Sequence, residues 1–504
     1  MKKHSLPVMI LLALSILLTS CKGNSGASDA PSGDGASVVA VNADPQKNSA
    51  ITLNYSPDES LNPYKTKSET NLLLASLMFG SLVSVSDRFE PVLLYAEKIS
   101  FKNKVFTVEI RKDILFSDGT PFTADDALYS LNTAKASSSI YKDRLANVST
   151  AAVDGESLTV TLRSSDPYFA ACLDFPIVKK NTGNDKLPTG SGIYILDGDK
   201  LVCNQKSAIV PEIKEIALIE MPDYETTLRS VEIGTINLFY TDFTKGDIAG
   251  LNGTYAAVPI NHFIYIGTNS NDSRLTPEIR QAISLALDRE SVVAKAFYGR
   301  AKATSGIFNP EFFGIDGIKQ ESTVKETDRA VKLIEDEKFT QKNSKGIRRT
   351  KNGTLLSFTL LINEADESKE RAALQIQASL KLAGIGISII KKPFADYEKA
   401  LQEGSFELYL SEVRLSNNQN LSSLLTKNAS LSYGISEENP SIGAYRELLD
   451  GACDFNAFYE TFNKDMPVIP LCYREGIVAL SRNISGAFPN ATSIFAGIEK
   501  WSVS

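Results

Sequence analysis

From residue 51 onward, apolar positions recur either at every second residue or at helical spacing, and the two patterns take turns along the chain. Ile51 and Leu53 alternate with Thr52 and Asn54, which predicts a strand ending at Pro57. The run NLLLASLMFGSLV, 71–83, predicts an apolar helix that closes near Gly80. Phe106, Val108 and Ile110 alternate with Thr107, Glu109 and Arg111, so one strand face is apolar and the other polar. Asp118-Gly119 marks a turn. Thr123 followed by Asp126 has the form of a capping box, and a helix should run through Ala127, Leu128 and Leu131.

The later half repeats the exchange. Residues 187–198, LPTGSGIYILDG, form a glycine turn that feeds a strand. A helix through Leu228 and Val231 stops at Gly234, and a strand follows over 236–240. Thr276, Pro277 and Glu278 are an N-cap, a first-turn proline and a first-turn acid, ahead of Ile279, Ala282, Ile283, Ala286 and Leu287 at helical spacing. Asp288 caps a second helix. LLSFTLLI, IGISIIKK and FELYLSEVRL read as strands, and KERAALQIQASLKLAG and ADYEKALQEG as helices between them. Such alternation predicts α/β lobes with partly parallel sheets.

The first 50 residues follow another rule. Lys2 and Lys3 precede an apolar stretch from Leu6 to Leu18, which is a secretory signal's charged head and apolar core. Roughly 20 apolar residues are needed to cross a bilayer, so this stretch is short for a span. It ends Leu18-Thr19-Ser20-Cys21, which resembles the lipobox of bacterial lipoproteins. That resemblance implies that Cys21 carries lipid and becomes the mature N-terminus after a signal peptide of residues 1–20. The other reading is an ordinary signal with an incidental cysteine. Residues 21–50 are rich in Gly, Ser, Ala, Asp and Pro, and they predict a flexible tether reaching about 30 Å. The expected location is the outer face of the cell membrane, extracellular or periplasmic.

Composition narrows the function. The chain has 504 residues, 43% hydrophobic and 22% charged, with net charge −7, which argues against nucleic acid or an anionic bilayer as partners of the folded body. There are 5 cysteines. Cys172, Cys203, Cys453 and Cys472 form no metal-ligand spacing and are expected as free thiols, with disulfides as the alternative. Of 2 histidines one lies in the leader, so His262 stands alone afterwards and a multi-histidine metal site is excluded. No cofactor and no metal is expected. The chain lacks G-x-S-x-G, Walker and H-E-x-x-H patterns, so it is not expected to be an enzyme.

Several segments in order resemble the bacterial extracellular solute-binding proteins of family 5, which serve peptide and nickel ABC importers. They are FTVEIRKDILFSDGTPFTADDALYS, TGSGIYIL with Tyr194, LRSVEIGTIN, IRQAISLALDRESVVAKAFYGRA and MPVIPLCY. Ile193 stands where the family commonly has proline. The resemblance implies a two-lobed periplasmic-binding-protein-like α/β fold (type II, cluster C), with an extra domain inserted in the first lobe. Carried onto this chain, lobe 1 takes 51–70, 188–265 and 475–504, the inserted domain 71–187, and lobe 2 266–474. Crossings near 262–269 and 471–475 would form the hinge. The implied partners are a small-molecule ligand, most readily a peptide, and the permease subunits of an ABC transporter. The protein itself is expected as a monomer.

Ligands of α/β lobes gather at the carboxyl ends of parallel strands. FELYLSEVRLSNNQN is such an end, where Glu412, Arg414 and Ser416 continue the face of Leu408 and Leu410. In peptide-binding members the matching stretch commonly carries a tryptophan and an aspartate that holds the peptide amine. Here Val413 and Ser416 occupy those positions. Arg414 offers a fork for a carboxylate or phosphate, unless it pairs with Glu412 on the strand. Asp58 and Tyr55 follow the first strand, where the family's first lobe meets ligand; Asp58 either replaces the amine partner or is a solvated loop acid. Tyr433 either stacks on ligand or packs. His262 is expected at the hinge or in the core. The remaining readings are a binder of a non-peptide acidic solute and a surface receptor of the same fold that feeds no importer.

Overall fold

Strands Thr254–Thr268 and Val468–Leu480 run antiparallel through the middle of an eleven-stranded sheet. On one side lie Leu408–Arg414, Ser357–Asn363 and Gly386–Lys392 in that order. On the other lie Leu238–Thr241, Ala50–Tyr55, Glu215–Glu220, Lys200–Cys203 and Tyr194–Asp197. Short strand Ala301–Ala303 adds to Val468–Leu480. The sheet is partly parallel: Ala50–Tyr55 pairs that way with Glu215–Glu220, and Ser357–Asn363 with both Gly386–Lys392 and Leu408–Arg414. This computed structural model describes residues 50–136, 138–242, 254–490 and 493–503. The expected signal peptide, Cys21 and nearly all of the tether lie outside the described residues.

Two apolar cores flank the sheet's middle. One gathers Phe263, Ile266, Leu360, Leu408, Leu410 and Leu471. The other gathers Ile51, Leu53, Phe106, Val258, Val478 and Trp501. Each central strand therefore leaves one core and enters the other. The change falls between Val258 and Phe263 on one strand and between Tyr473 and Val478 on its partner. The ladder slips there: Pro259 faces Glu475, and the next pair is Phe263 with Tyr473. A slip of this kind locally loosens pairing and increases twist.

A second sheet is antiparallel, with strands ordered Ala96–Lys102, Val105–Ile110, Ser157–Leu162 and Val148–Asp154. Phe106, Val108 and Ile110 are buried as their alternation predicts. Helix Ala124–Ala134 begins at the capping box: Thr123 N–H donates to Asp126 Oδ2 at 2.9 Å, and Asp126 N–H donates to Thr123 Oγ1 at 3.4 Å. This sheet lies within the segment 71–187, yet Phe106, Val108 and Leu131 share one core with Ile51 and Leu53.

The glycine turn has a steric cause. Gly192 N–H donates to the Met78 carbonyl at 2.9 Å where helix Glu69–Met78 ends. A Cβ at Gly192 would lie 2.3 Å from the Leu77 carbonyl oxygen. Thr276 and Asp288 cap helices Pro277–Ala286 and Arg289–Ala296 as expected. Cys172, Cys203, Cys453 and Cys472 are all unpaired; Cys172 and Cys472 are buried, while Cys203 and Cys453 are half-buried. Among the described residues no helix is long and apolar enough to cross a membrane.

Candidate functional site

Strand Leu408–Arg414 is buried over Leu408–Leu410 and at Val413, half-buried at Ser411 and Glu412, and exposed at Arg414. Leu408, Tyr409 and Leu410 are fully enclosed, so both faces of its first half belong to the core. Gly267, on the neighbouring strand, leaves room for the Tyr409 ring, which would lie 2.0 Å from a Cβ there. Polar groups begin at Glu412. Its Oε1 stands 2.7 Å from His262 Nδ1, and its Oε2 lies 3.2 Å from Arg474 Nη1 and 3.4 Å from Lys369 Nζ. Burial pushes the Glu412 carboxyl up, but the His262 hydrogen bond and the charges of Lys369 and Arg474 outweigh it, and the pKa settles at about 2. Glu412 thus belongs to a nearly buried ion cluster at the sheet's middle and does not line the cleft described next. His262, 6% exposed, sits in that cluster, with Asp242 Oδ2 4.0 Å from its Nε2.

One pleat further, Arg414 opens into a cleft of about 1500 Å³. A typical small-molecule pocket is about 300–1,000 Å³, so this cleft has room for more than a single amino acid. Among the described residues the Arg414 guanidinium has no ion pair or side-chain hydrogen bond. Its charge falls on Tyr240, which also lines the cleft, and whose hydroxyl pKa is raised by burial and lowered in part by Arg414. The alternative pairing of Arg414 with Glu412 does not form; Glu412 is spent on His262, Lys369 and Arg474.

The segment after Arg414 supplies a polar wall through Ser416, Asn417, Asn418 and Asn420. The segments that pack on the Ile51 core supply an apolar one, including Leu72, Leu73 and Leu77 of helix Glu69–Met78. Leu94, Leu115 and Ile140 also face the cleft while remaining 36%, 36% and 49% exposed. Arg111 and Arg144, also in the lining, are bound to Asp113 and Asp174. The cleft therefore offers an unpaired guanidinium, amide and hydroxyl groups, and open apolar surface.

Of the six residues expected to meet ligand, the structure brings Arg414 and Ser416 to this cleft. Tyr55 packs half-buried against the Ile51 core and Asp58 is exposed on the loop beyond it. Tyr433 packs edge-on against Tyr409, ring centroids 6.4 Å apart. Neither Tyr55, Asp58, Tyr433 nor Glu412 lines the cleft. Asp174, Arg144 and the amides of Asn417, Asn418 and Asn420 are additions that the sequence pattern does not predict. The run SNNQN, three asparagines and a glutamine beside a strand end, is the signal available for them.

Residues 88–432 match the family described as bacterial extracellular solute-binding proteins, family 5 middle. The chain belongs to this family. As a family 5 solute-binding protein it has curated relatives over its whole length. It is 21% identical to the oligopeptide-binding protein AppA of Bacillus subtilis, with 99% of each chain covered. It is 25% identical to the nickel-binding periplasmic protein of Escherichia coli, covering 60% of this chain and 63% of that one. Among solved structures, the ABC transporter substrate-binding protein from Sinorhizobium meliloti superposes with a TM-score of 0.74 at 18% identity, covering 90% of this chain and 100% of the other. The two-lobed α/β fold is that of the family.

Proposed function

We propose that this solute-binding protein captures a short peptide or another carboxylate-bearing solute between its two lobes and delivers it to an ABC importer. The observation that carries the reading is Arg414, a guanidinium without an ion pair among the described residues, at the exposed end of strand Leu408–Arg414 and facing a cleft of about 1500 Å³. A carboxylate or phosphate oxygen is the group that a free guanidinium fork holds best. A peptide supplies a carboxylate together with amides for the asparagine wall and side chains for the apolar one. The oligopeptide-binding relative supports the peptide class.

The core switch at 258–263 and 473–478 supports a hinge in the two central strands, with lobe 1 around Ile51 and lobe 2 around Leu408. Hinge closure at a few element-terminal residues is a common way to enclose a ligand. Lipid on Cys21 would hold the protein at the outer face of the membrane as a monomer, with the tether leaving the lobes free to reach the permease.

The test is mass spectrometry of whatever co-purifies with the folded body, followed by thermal shifts against tri- to pentapeptides. A ligand at 100 times its Kd raises stability by about 2.7 kcal/mol. Arg414→Ala should weaken binding by about 2–5 kcal/mol, the usual cost of removing a charge partner that lobe closure buries. Unchanged affinity in that variant would remove Arg414 from the site, and an empty protein that no peptide shifts would overturn the peptide reading.

A further inference from the structure

The loop that follows Arg414 is held by acids from a remote part of the chain. Asn418 donates its amide to Asp166 Oδ2 at 2.7 Å, and Asn420 donates to the same oxygen at 3.2 Å. Asn417 donates to Asp174 Oδ2 at 2.9 Å, and Asp174 also binds Arg144. These loop and acid partners are 243 to 254 positions apart in sequence. The fourth amide, Gln419, donates to Asn261 Oδ1 at 2.6 Å and accepts from the Asn309 N–H at 3.2 Å. All four amide side chains of the loop are thus engaged, and Gln419 is held at φ 54°, a conformation that such residues rarely adopt unless their surroundings impose it.

Asp166 differs from Asp174 in where it stands. Asp174 borders the cleft, whereas Asp166 does not and is 1% exposed. Its Oδ1 accepts from the Tyr168 N–H at 3.1 Å. The Tyr168 ring in turn lies edge-on to Phe312 and Phe313, with centroids 5.2 and 5.8 Å away, so the acid's own segment is fixed against the core that contains Leu408. An ionised carboxylate only accepts, so both asparagines must present N–H to it, which fixes the orientation of each amide.

We propose that Asp166 is a positioning residue of the binding site: by holding the Asn418 and Asn420 amides it sets the loop that follows Arg414 and carries Ser416 into the cleft, without meeting the solute itself. The inference rests on the proposed function only in naming Arg414 as the solute's partner. A carboxylate–amide pair can be reversed without changing its shape, and the reversal separates positioning from bulk stability. Asp166→Asn places two amides face to face, Asn418→Asp places two carboxylates face to face, and the double variant restores one of each. Asn420 shares Oδ2 with Asn418, so the double variant regains the pair between positions 166 and 418 but not the Asn420 bond.

The experiment compares the full chain and these three variants by hydrogen exchange over 414–420 and by titration with a pool of free-termini tri- to pentapeptides of Ala and Leu. The expected result is at least tenfold faster exchange over 414–420 and at least tenfold weaker peptide binding in each single variant. The double variant, with the 166–418 pair restored, should recover at least threefold relative to either single variant in both readouts, while exchange over 357–363 stays constant. Asp166→Asn with wild-type exchange and affinity, or a double variant no better than the singles, overturns the proposal. Absence of any peptide binding by the starting protein overturns the peptide reading instead, and the exchange data still decide the role of Asp166.

Discussion

Glu412 and His262 meet at 2.7 Å from neighbouring antiparallel strands, where the ladder slips and the sheet passes from one core to the other. Arg474 and Lys369 complete the group on the carboxylate's second oxygen. Because the folded-state pKa of Glu412 is depressed from 4.5 to about 2, its contribution to stability is fully present above about pH 4.5 and is lost as pH falls toward 2. Glu412→Gln should lower stability at pH 7 by about 3 kcal/mol. Urea unfolding of both proteins from pH 7 down to pH 3 should show the two curves converging as the pH drops.

Asp166 has the opposite sign. Burial dominates, opposed by hydrogen bonds from Asn420, Asn418 and the N–H groups of Tyr168 and Phe169, and its pKa is raised from 3.8 to about 6. Cys172, Tyr168 and Tyr445 are the titratable neighbours, with the Arg144–Asp174 pair beyond Cys172. The folded chain therefore binds this proton more tightly than the unfolded one. Stability from this group is fully present below about pH 3.8 and is lost as pH rises through 6. The stability difference between wild type and Asp166→Asn should change by about 2 kcal/mol between pH 4 and pH 7. A flat difference across that window would show that Asp166 is not titrating there.

Thr123 closes one turn of the capping box on Asp126. Thr123→Ala should cost about 1 kcal/mol, and Thr123→Ser should recover most of it, since only the hydroxyl is needed. Melting curves of the two variants test this directly.

Two glycines should respond oppositely to alanine. Gly192 has backbone of Leu77 and Met78 within 2.3 and 2.4 Å of a would-be Cβ, so Gly192→Ala should destabilise by about 1–3 kcal/mol or more. Gly443 lies in helix Pro440–Leu449 with nothing within 4 Å, and Gly443→Ala should stabilise by about 0.5–1 kcal/mol. Denaturant midpoints would rank the three proteins.

Local signals carry much of the fold. The Thr123–Asp126 box and the Thr276-Pro277 start reflect contacts within a few residues, and the alternation at Phe106, Val108 and Ile110 reflects the two-residue period of a strand with one buried face, so sequence shows them. The two central strands are longer than their sequence suggests. Val468–Leu480 is buried at every position but one, which leaves no polar beat to mark its length or ends. The site is legible where it depends on a strand end, at Arg414 and Ser416. It is not legible where the partner is remote. Glu412 shares its alternation with Arg414, but its fate is decided by Lys369, Arg474 and His262, which no spacing rule connects. The same holds for Asp166 and the asparagines it receives.

Strand Ala50–Tyr55 pairs on one side with Glu215–Glu220 and on the other with Leu238, and Leu238 in turn pairs with Leu480. Trp501, 0% exposed and hydrogen-bonded through its indole to the Ala496 carbonyl at 3.1 Å, belongs to the same core as Ile51 and Leu53. The earliest strand of the fold therefore waits for some of the latest residues to leave the ribosome. Closing such long loops is slow. A chain wired in this way can build the local sheet over 96–162 early, but it completes the core around its first described strand only once the last described residues are in place.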